Sequence, residues 1–100
     1  REFLERRVPE DWQSWPVERR RMFFDDSIAG KENLHLVPRD RVCALEVWCE
    51  AFGGSIKEMK NSDTREINAI IAATPEWRKN ERVLRFGCYG VQRGFTKKSP

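Results

Sequence analysis

The stretch Ser62-Asp63-Thr64-Arg65-Glu66-Ile67-Asn68-Ala69-Ile70-Ile71-Ala72-Ala73 predicts a short amphipathic helix. Ser62 or Asp63 can serve as N-cap. With Asp63 in that position, Glu66 falls at N3 and completes a capping-box-like pair. Ile67, Ile70 and Ile71 form one apolar stripe. The opposite face carries Arg65, Asn68, Ala69 and Ala72. A long cation, an amide and two small residues make a face that can approach another surface closely.

Upstream, Arg41–Phe52 reads as the central helix, with Asp40 as N-cap and Gly53-Gly54 as its stop. Val42, Leu45, Cys49 and Phe52 share one side, and Cys43, Ala44, Val47 and Trp48 widen it. Only Arg41, Glu46 and Glu50 are expected to face outward. A helix apolar over most of its circumference is a core pillar. Ile56 and Met59 can form one helical turn before the capped helix, which gives a helix-turn-helix outline.

Downstream, Thr74-Pro75 ends the capped helix. Trp77 reads as a core anchor, followed by a basic turn. Val83–Phe86 and Val91–Thr96 read as two strands around the Gly87-Cys88-Tyr89-Gly90 turn, with Gly94 marking a bulge or close approach. A hairpin after a helix-turn-helix is the outline of a winged helix.

The N-terminal part, residues 1–38, reads as an extension with one short helix. Pro9 marks a break, and Ser14 and Pro16 precede a helix over Val17–Asp26 with Val17, Met22, Phe23 and Phe24 on its apolar side. The Arg19-Arg20-Arg21 run is expected on a solvated surface near Glu18, Asp25 and Asp26. Ser27–Pro38, with Gly30, reads as a loop. The chain opens on Arg1 amid charged residues, which leads us to expect a piece of a longer protein.

One hundred residues make one small domain. No apolar run approaches the roughly 18 residues of a membrane span. Three cysteines and one histidine, His35, offer neither a disulfide framework nor metal-ligand spacing. Cys43 and Cys49 read as small buried hydrophobes. A reducing cytoplasm, no metal and no cofactor follow as expectations. There is no phosphate-binding G-x-x-x-x-G-K-[ST] loop and no catalytic constellation, so no enzymatic activity is expected of these residues.

The charge is unevenly placed. Trp77–Pro100 holds seven basic residues against Glu81 alone, whereas positions 1–76 hold twelve basic and fifteen acidic ones. A basic end on a near-neutral body suggests a polyanion partner. Arg65 and Asn68 are of the types that read guanine and adenine edges. Arg82, Arg85, Arg93, Lys97 and Lys98 would meet phosphates.

Several stretches are similar to the C-terminal end of the virulence-associated protein E family of bacteriophages and mobile elements. They are V-C-A-L-E-V-W-C-E-A-F-G-G, M-K-N-S-D-T-R-E-I-N-A-I-I and R-F-G-C-Y-G-V-Q-R-G-F. The opening F-L-E-R-R-V-P-E-D-W-Q-S-W resembles the segment that follows the ATPase domain in that family. The resemblance implies a non-catalytic accessory domain of a P-loop ATPase related to superfamily 3 helicases, often joined to a primase-type domain. No residue here matches the ATP site.

The expectation is therefore a mainly α fold with a small β-hairpin, winged-helix-like. Residues 39–97 form the domain, 1–38 the extension and 98–100 a frayed tail. Its core is Val42, Leu45, Trp48, Ile67, Ile70, Ile71, Trp77 and Phe86. The expected partners are DNA and the upstream ATPase domain. Trp12, Trp15 and Phe23, if exposed, would instead make the chain a protein-docking or assembly module.

Overall fold

In the computed structural model, residues 2–26 and 33–98 are described. Four helices are present among them: α1 (Glu2–Glu5), α2 (Val17–Phe24), α3 (Ala44–Glu50) and α4 (Asn61–Ala72). Seven short strands accompany them: β1 (Val8–Pro9), β2 (Leu36–Val37), β3 (Arg41–Val42), β4 (Trp77–Lys79), β5 (Leu84–Arg85), β6 (Val91–Gln92) and β7 (Phe95–Lys97). They pair antiparallel as β1-β2, β3-β7-β4 and β5-β6.

The result is a mixed α/β domain with three small sheets, which corrects the mainly α, winged-helix-like expectation. The expected second wing strand is two separate pieces. Val91 and Gln92 pair with β5, but Phe95–Lys97 leaves that hairpin and lies between β3 and β4 in another sheet.

The central helix is shorter than its apolar pattern. Arg41 and Val42 pair with Thr96 and Phe95, so their backbone is extended. Cys43, not Asp40, occupies the N-cap position, at φ −128° and ψ 163°. Gly53 then leaves the helix at φ 67°. The capped helix begins earlier than expected, at Asn61, with Asp63 at N3. The Asp63 carboxylate accepts from the Lys60 backbone N–H at 2.9 Å. Ile67 and Ile71 are buried, whereas Ile70, expected in the core, is 51% exposed. Ser14 does not cap α2. Its hydroxyl donates to the Asp11 carbonyl, and Pro16 holds the N-cap position. Leu36–Val37, expected within a loop, is a strand pairing with Val8–Pro9; positions 27–32 of that loop, and 99–100 of the tail, lie outside the described residues.

Three apolar clusters fill the interior. The first joins Leu4 to Val42, Ala44, Val47, Ile67, Ile71, Trp77 and Phe95. The second is Val8, Trp12, Trp15 and Phe23. The third is Cys43, Cys49, Phe86 and Tyr89. The segment 1–38, read as an extension, thus supplies Leu4 to the same core as α3 and α4. Trp12, Trp15 and Phe23 are buried, with ring centroids 5.4–6.0 Å apart.

Between the second and third clusters lies an ion cluster that sequence reading misplaced. Arg20 was expected in solvent and Glu46 and Glu50 on the outer edge of α3; all three are buried. Arg20 Nη1 donates to Glu46 Oε2 at 3.1 Å and Glu50 Oε2 at 2.8 Å. Its Nε and Nη2 donate to the carbonyls of Trp15 and Trp12. Arg39 donates to Glu46 at 3.0 Å, and the Tyr89 hydroxyl donates to Glu50 at 2.7 Å. Three successive helical residues point roughly 100° apart. Accordingly, Arg19 stacks on Trp15, Arg20 enters the interior and Arg21 donates to the carbonyls of Cys49 and Gly54.

Removing one partner of a buried pair strands the others. Arg20→Ala is therefore expected to lower unfolding free energy by about 3–5 kcal/mol in urea titrations. The exposed Arg7→Ala is expected to stay within about 0.5 kcal/mol. Equal effects would show that the cluster carries no such weight.

Burial and the neighbouring Glu46 carboxylate push the Glu50 carboxyl up to about 7, against the opposing pull of Arg20 and Tyr89. A carboxyl raised in the folded state binds its proton more tightly there than in the unfolded chain. Its contribution is full below the ordinary carboxylate range and is lost as pH rises through about 7. Glu50→Gln removes this dependence. Its stability relative to wild type should therefore improve between about pH 5 and about pH 8, read from urea midpoints. A constant gap would mean that Glu50 titrates as an ordinary carboxyl.

Candidate nucleic-acid interface

The outward face of α4 repeats at helical spacing. Arg65, Asn68, Ala69 and Ala72 stand at i, i+3, i+4 and i+7 and share one side. Ile67 and Ile71 on the other side fasten the helix to α3. This outward face is nonetheless not convex surface. Across from it runs β4 with Trp77, Arg78 and Lys79, then Arg93, Gly94 and Phe95 leading into β7, and Lys98 beyond it. Together these residues line a groove of about 540 Å³.

The walls and floor have different origins. Trp77 and Phe95 alternate inward from β4 and β7 and are buried in the core beneath the groove. Arg78 and Lys79 remain exposed. Gly94 belongs to the floor. A Cβ there would collide with the Phe86 ring and the Val42 carbonyl, so only glycine permits the chain to cross so closely. The Asn80 N–H donates to the Gly94 carbonyl at 2.9 Å, and the Lys98 N–H donates to the Glu76 carbonyl at 2.8 Å. These bonds fix both ends of the sheet wall.

Arg65, Arg78, Lys79, Arg93 and Lys98 give the groove five exposed cations, and no described carboxylate lines it. None of the five is in an ion pair with a described carboxylate. Two further recesses adjoin. One, of about 500 Å³, shares Arg78 and Lys79 and continues along Asn80, Glu81, Arg82, Val83 and Leu84. The other, of about 400 Å³, shares Asn68 and Arg93 and reaches Thr64, Met59 and Gln92.

Of the residues expected to contact nucleic acid, Arg65, Asn68, Arg93 and Lys98 converge on the main groove. Arg82 lies in the adjoining recess. Arg85 and Lys97 line none of the three. Arg85 sits on β5, its carbonyl accepting from Arg41 at 3.1 Å. Lys97 pairs with Glu76 at 3.8 Å. Sequence reading left Arg78 and Lys79 out of the site because it placed them in a turn. The available signal was the step from buried Trp77 to exposed Arg78, the alternation of a strand with one face in the core, with Lys79 at the strand's end.

Glu46, Glu50 and Tyr89 are buried beyond reach of a substrate. Burial pushes the Cys43 thiol up to about 12 and raises Cys49 and Cys88 as well, away from the reactive thiolate. Among the described residues, no group of three or more His, Cys, Asp or Glu is placed to hold a metal ion. No described helix is long and apolar enough to cross a membrane. No family model matches the sequence, and no curated protein matches it.

The groove floor depends on the close approach at Gly94. Gly94→Ala should lower unfolding free energy by about 1–3 kcal/mol through overpacking against Phe86 and Val42. Chemical denaturation measures this directly; an unchanged midpoint would show that the crossing has room for a methyl group.

Proposed function

We propose that this domain binds DNA through the groove between α4 and the β3-β7-β4 sheet. The observation that carries this reading is a recess, formed by residues 65–79 and 93–98, with five cations that pair with no described carboxylate and with no described carboxylate in its lining. Ion-paired surface cations are the ordinary case in a mixed-charge domain. Cations gathered around a concavity with no compensating acid raise the local potential for an anion. The spacing of several such charges suits a polyphosphate chain better than a single small anion.

The likeness to the virulence-associated protein E family points the same way. On that reading the chain is a non-catalytic accessory domain of a phage-type or mobile-element replication ATPase, and it works in the bacterial cytoplasm beside the P-loop domain of the same protein. Asn68 offers an amide at the groove edge that can donate to or accept from a base. The competing reading, a docking module presenting Trp12, Trp15 and Phe23, loses its motivation because all three are buried.

The test is fluorescence anisotropy with labelled DNA at about 50 and about 200 mM salt. Binding should weaken by orders of magnitude across that range if several phosphates are contacted. The double reversal Arg65→Glu and Arg93→Glu, one from each wall, should weaken it at least about tenfold at the lower salt. The charge-matched double reversal Arg7→Glu and Lys57→Glu, outside the groove, should leave it nearly unchanged. Equal effects from both would show that only net charge matters and that the groove is not the site.

A further inference from the structure

We infer that the groove takes a single polynucleotide strand and not a duplex, an inference that rests on the nucleic-acid reading above. The reason is the shape around α4. A helix that reads duplex DNA must stand proud of the protein, because it enters a major groove about 12 Å wide, close to its own diameter. Here Arg65, Asn68, Ala69 and Ala72 face the opposing wall of Arg78, Lys79 and Arg93 across one recess. The groove belongs to the protein, and the ligand must enter it.

Continuity adds a second argument. Asn68 and Arg93 line both the main groove and the recess toward Thr64 and Gln92. Arg78 and Lys79 line both the main groove and the recess toward Arg82. Three recesses joined through shared residues form one trough across a body only 36 × 35 × 22 Å in extent. A single strand can follow it.

Arg93, Arg65, Lys98, Arg78, Lys79 and Arg82 are distributed along this trough, with Glu81 the single carboxylate at its far end. Trp77 and Phe95 lie beneath the floor and are not open to stacking. The contacts available are therefore mainly to phosphates, with little discrimination among bases. Six single-strand phosphate contacts would give a salt slope of about −4 on logarithmic axes.

The experiment compares a labelled single-stranded oligonucleotide of about twelve residues with its duplex, using the whole 100-residue chain. Ala69→Leu is the diagnostic variant: it narrows the groove from an exposed helix position, changes no charge and adds no ring on which a base could stack. Single-strand affinity should exceed duplex affinity at least about tenfold, and Ala69→Leu should remove at least about tenfold of it with the melting temperature unchanged. Should that variant melt early, Ala72→Leu, on the same face, gives the same obstruction. Duplex binding as tight as single-strand binding overturns the strand assignment and leaves the DNA-binding reading standing, whereas single-strand binding indifferent to the obstruction overturns the groove as the binding site and the strand assignment with it. No binding of either form at low salt overturns both.

Discussion

A guanidinium buried to the last atom is the constraint on which the rest of this small domain depends. Arg20 is 0% exposed. Taking such a charge out of water costs several kcal/mol unless its donors and countercharges are all in place. Those partners come from far apart: the carbonyls of Trp12 and Trp15, Glu46 and Glu50 on α3, and the Trp12 and Tyr89 rings 4.8 and 5.2 Å away. Gly87, at φ 56°, lets the turn that carries Tyr89 come against Arg20 and the Gln13 carbonyl. A hydrocarbon core of equal volume could be as stable. What the ions add is selectivity, because any slipped packing of α2 on α3 leaves a charge without its partner.

The same constraint orients the outer surface. Glu46 and Glu50 turn inward to meet Arg20, so α3 cannot rotate. Its Val47, with Ala44 just before it, then receives Ile67 and Ile71, which sets the roll of α4. With α4 fixed, Arg65 and Asn68 can point only toward the sheet. Two groups of arginines consequently stand in contrast. Arg20 and Arg39 pair with Glu46 and Glu50 inside, and those carboxylates are unavailable to neutralise the outside. Arg65, Arg78 and Arg93 keep their charge at the groove. Interior pairing and surface field are two consequences of one distribution of acids.

Legibility from sequence followed the range of the interactions. The 3,4 spacing of Ile67, Ile70 and Ile71 is a local signal, and a helix stands there. The positive-φ glycines around Cys88 mark a turn in the sequence and in space. Two-residue strands carry no period of their own. Leu36–Val37 and Arg41–Val42 are extended because partners about 30 and 55 positions away accept them. The burial of Arg20 was equally nonlocal. A run of three arginines reads as surface, yet Arg20 stands three residues before Phe23, on the buried face of α2, and Glu46 and Glu50 stand four apart on a helix otherwise almost wholly apolar. Charges inside an apolar stripe on two different helices were the available sign that they meet. The groove was half legible: its α4 wall follows from helical spacing, but its sheet wall requires knowing that β7 lies between β3 and β4.

The wing that did not form explains why Arg93 matters to the groove. A hairpin running from Leu84 to Thr96 would carry Arg93 out along a projecting strand, far from α4. Instead the pairing with β5 ends at Gln92. The chain then crosses closely over Phe86 and Val42, which only a residue without a side chain at position 94 allows. Phe95 drops into the core beside Ile71 and Trp77, and β7 closes the sheet against β4. Arg93 is left at the crossing itself, where the main groove meets the recess toward Thr64 and Gln92. The backbone detour that breaks the winged-helix pattern therefore moves a cation from the middle of a wing strand to the edge of a basic groove, through the core packing of Phe95 and the sheet pairing of β7.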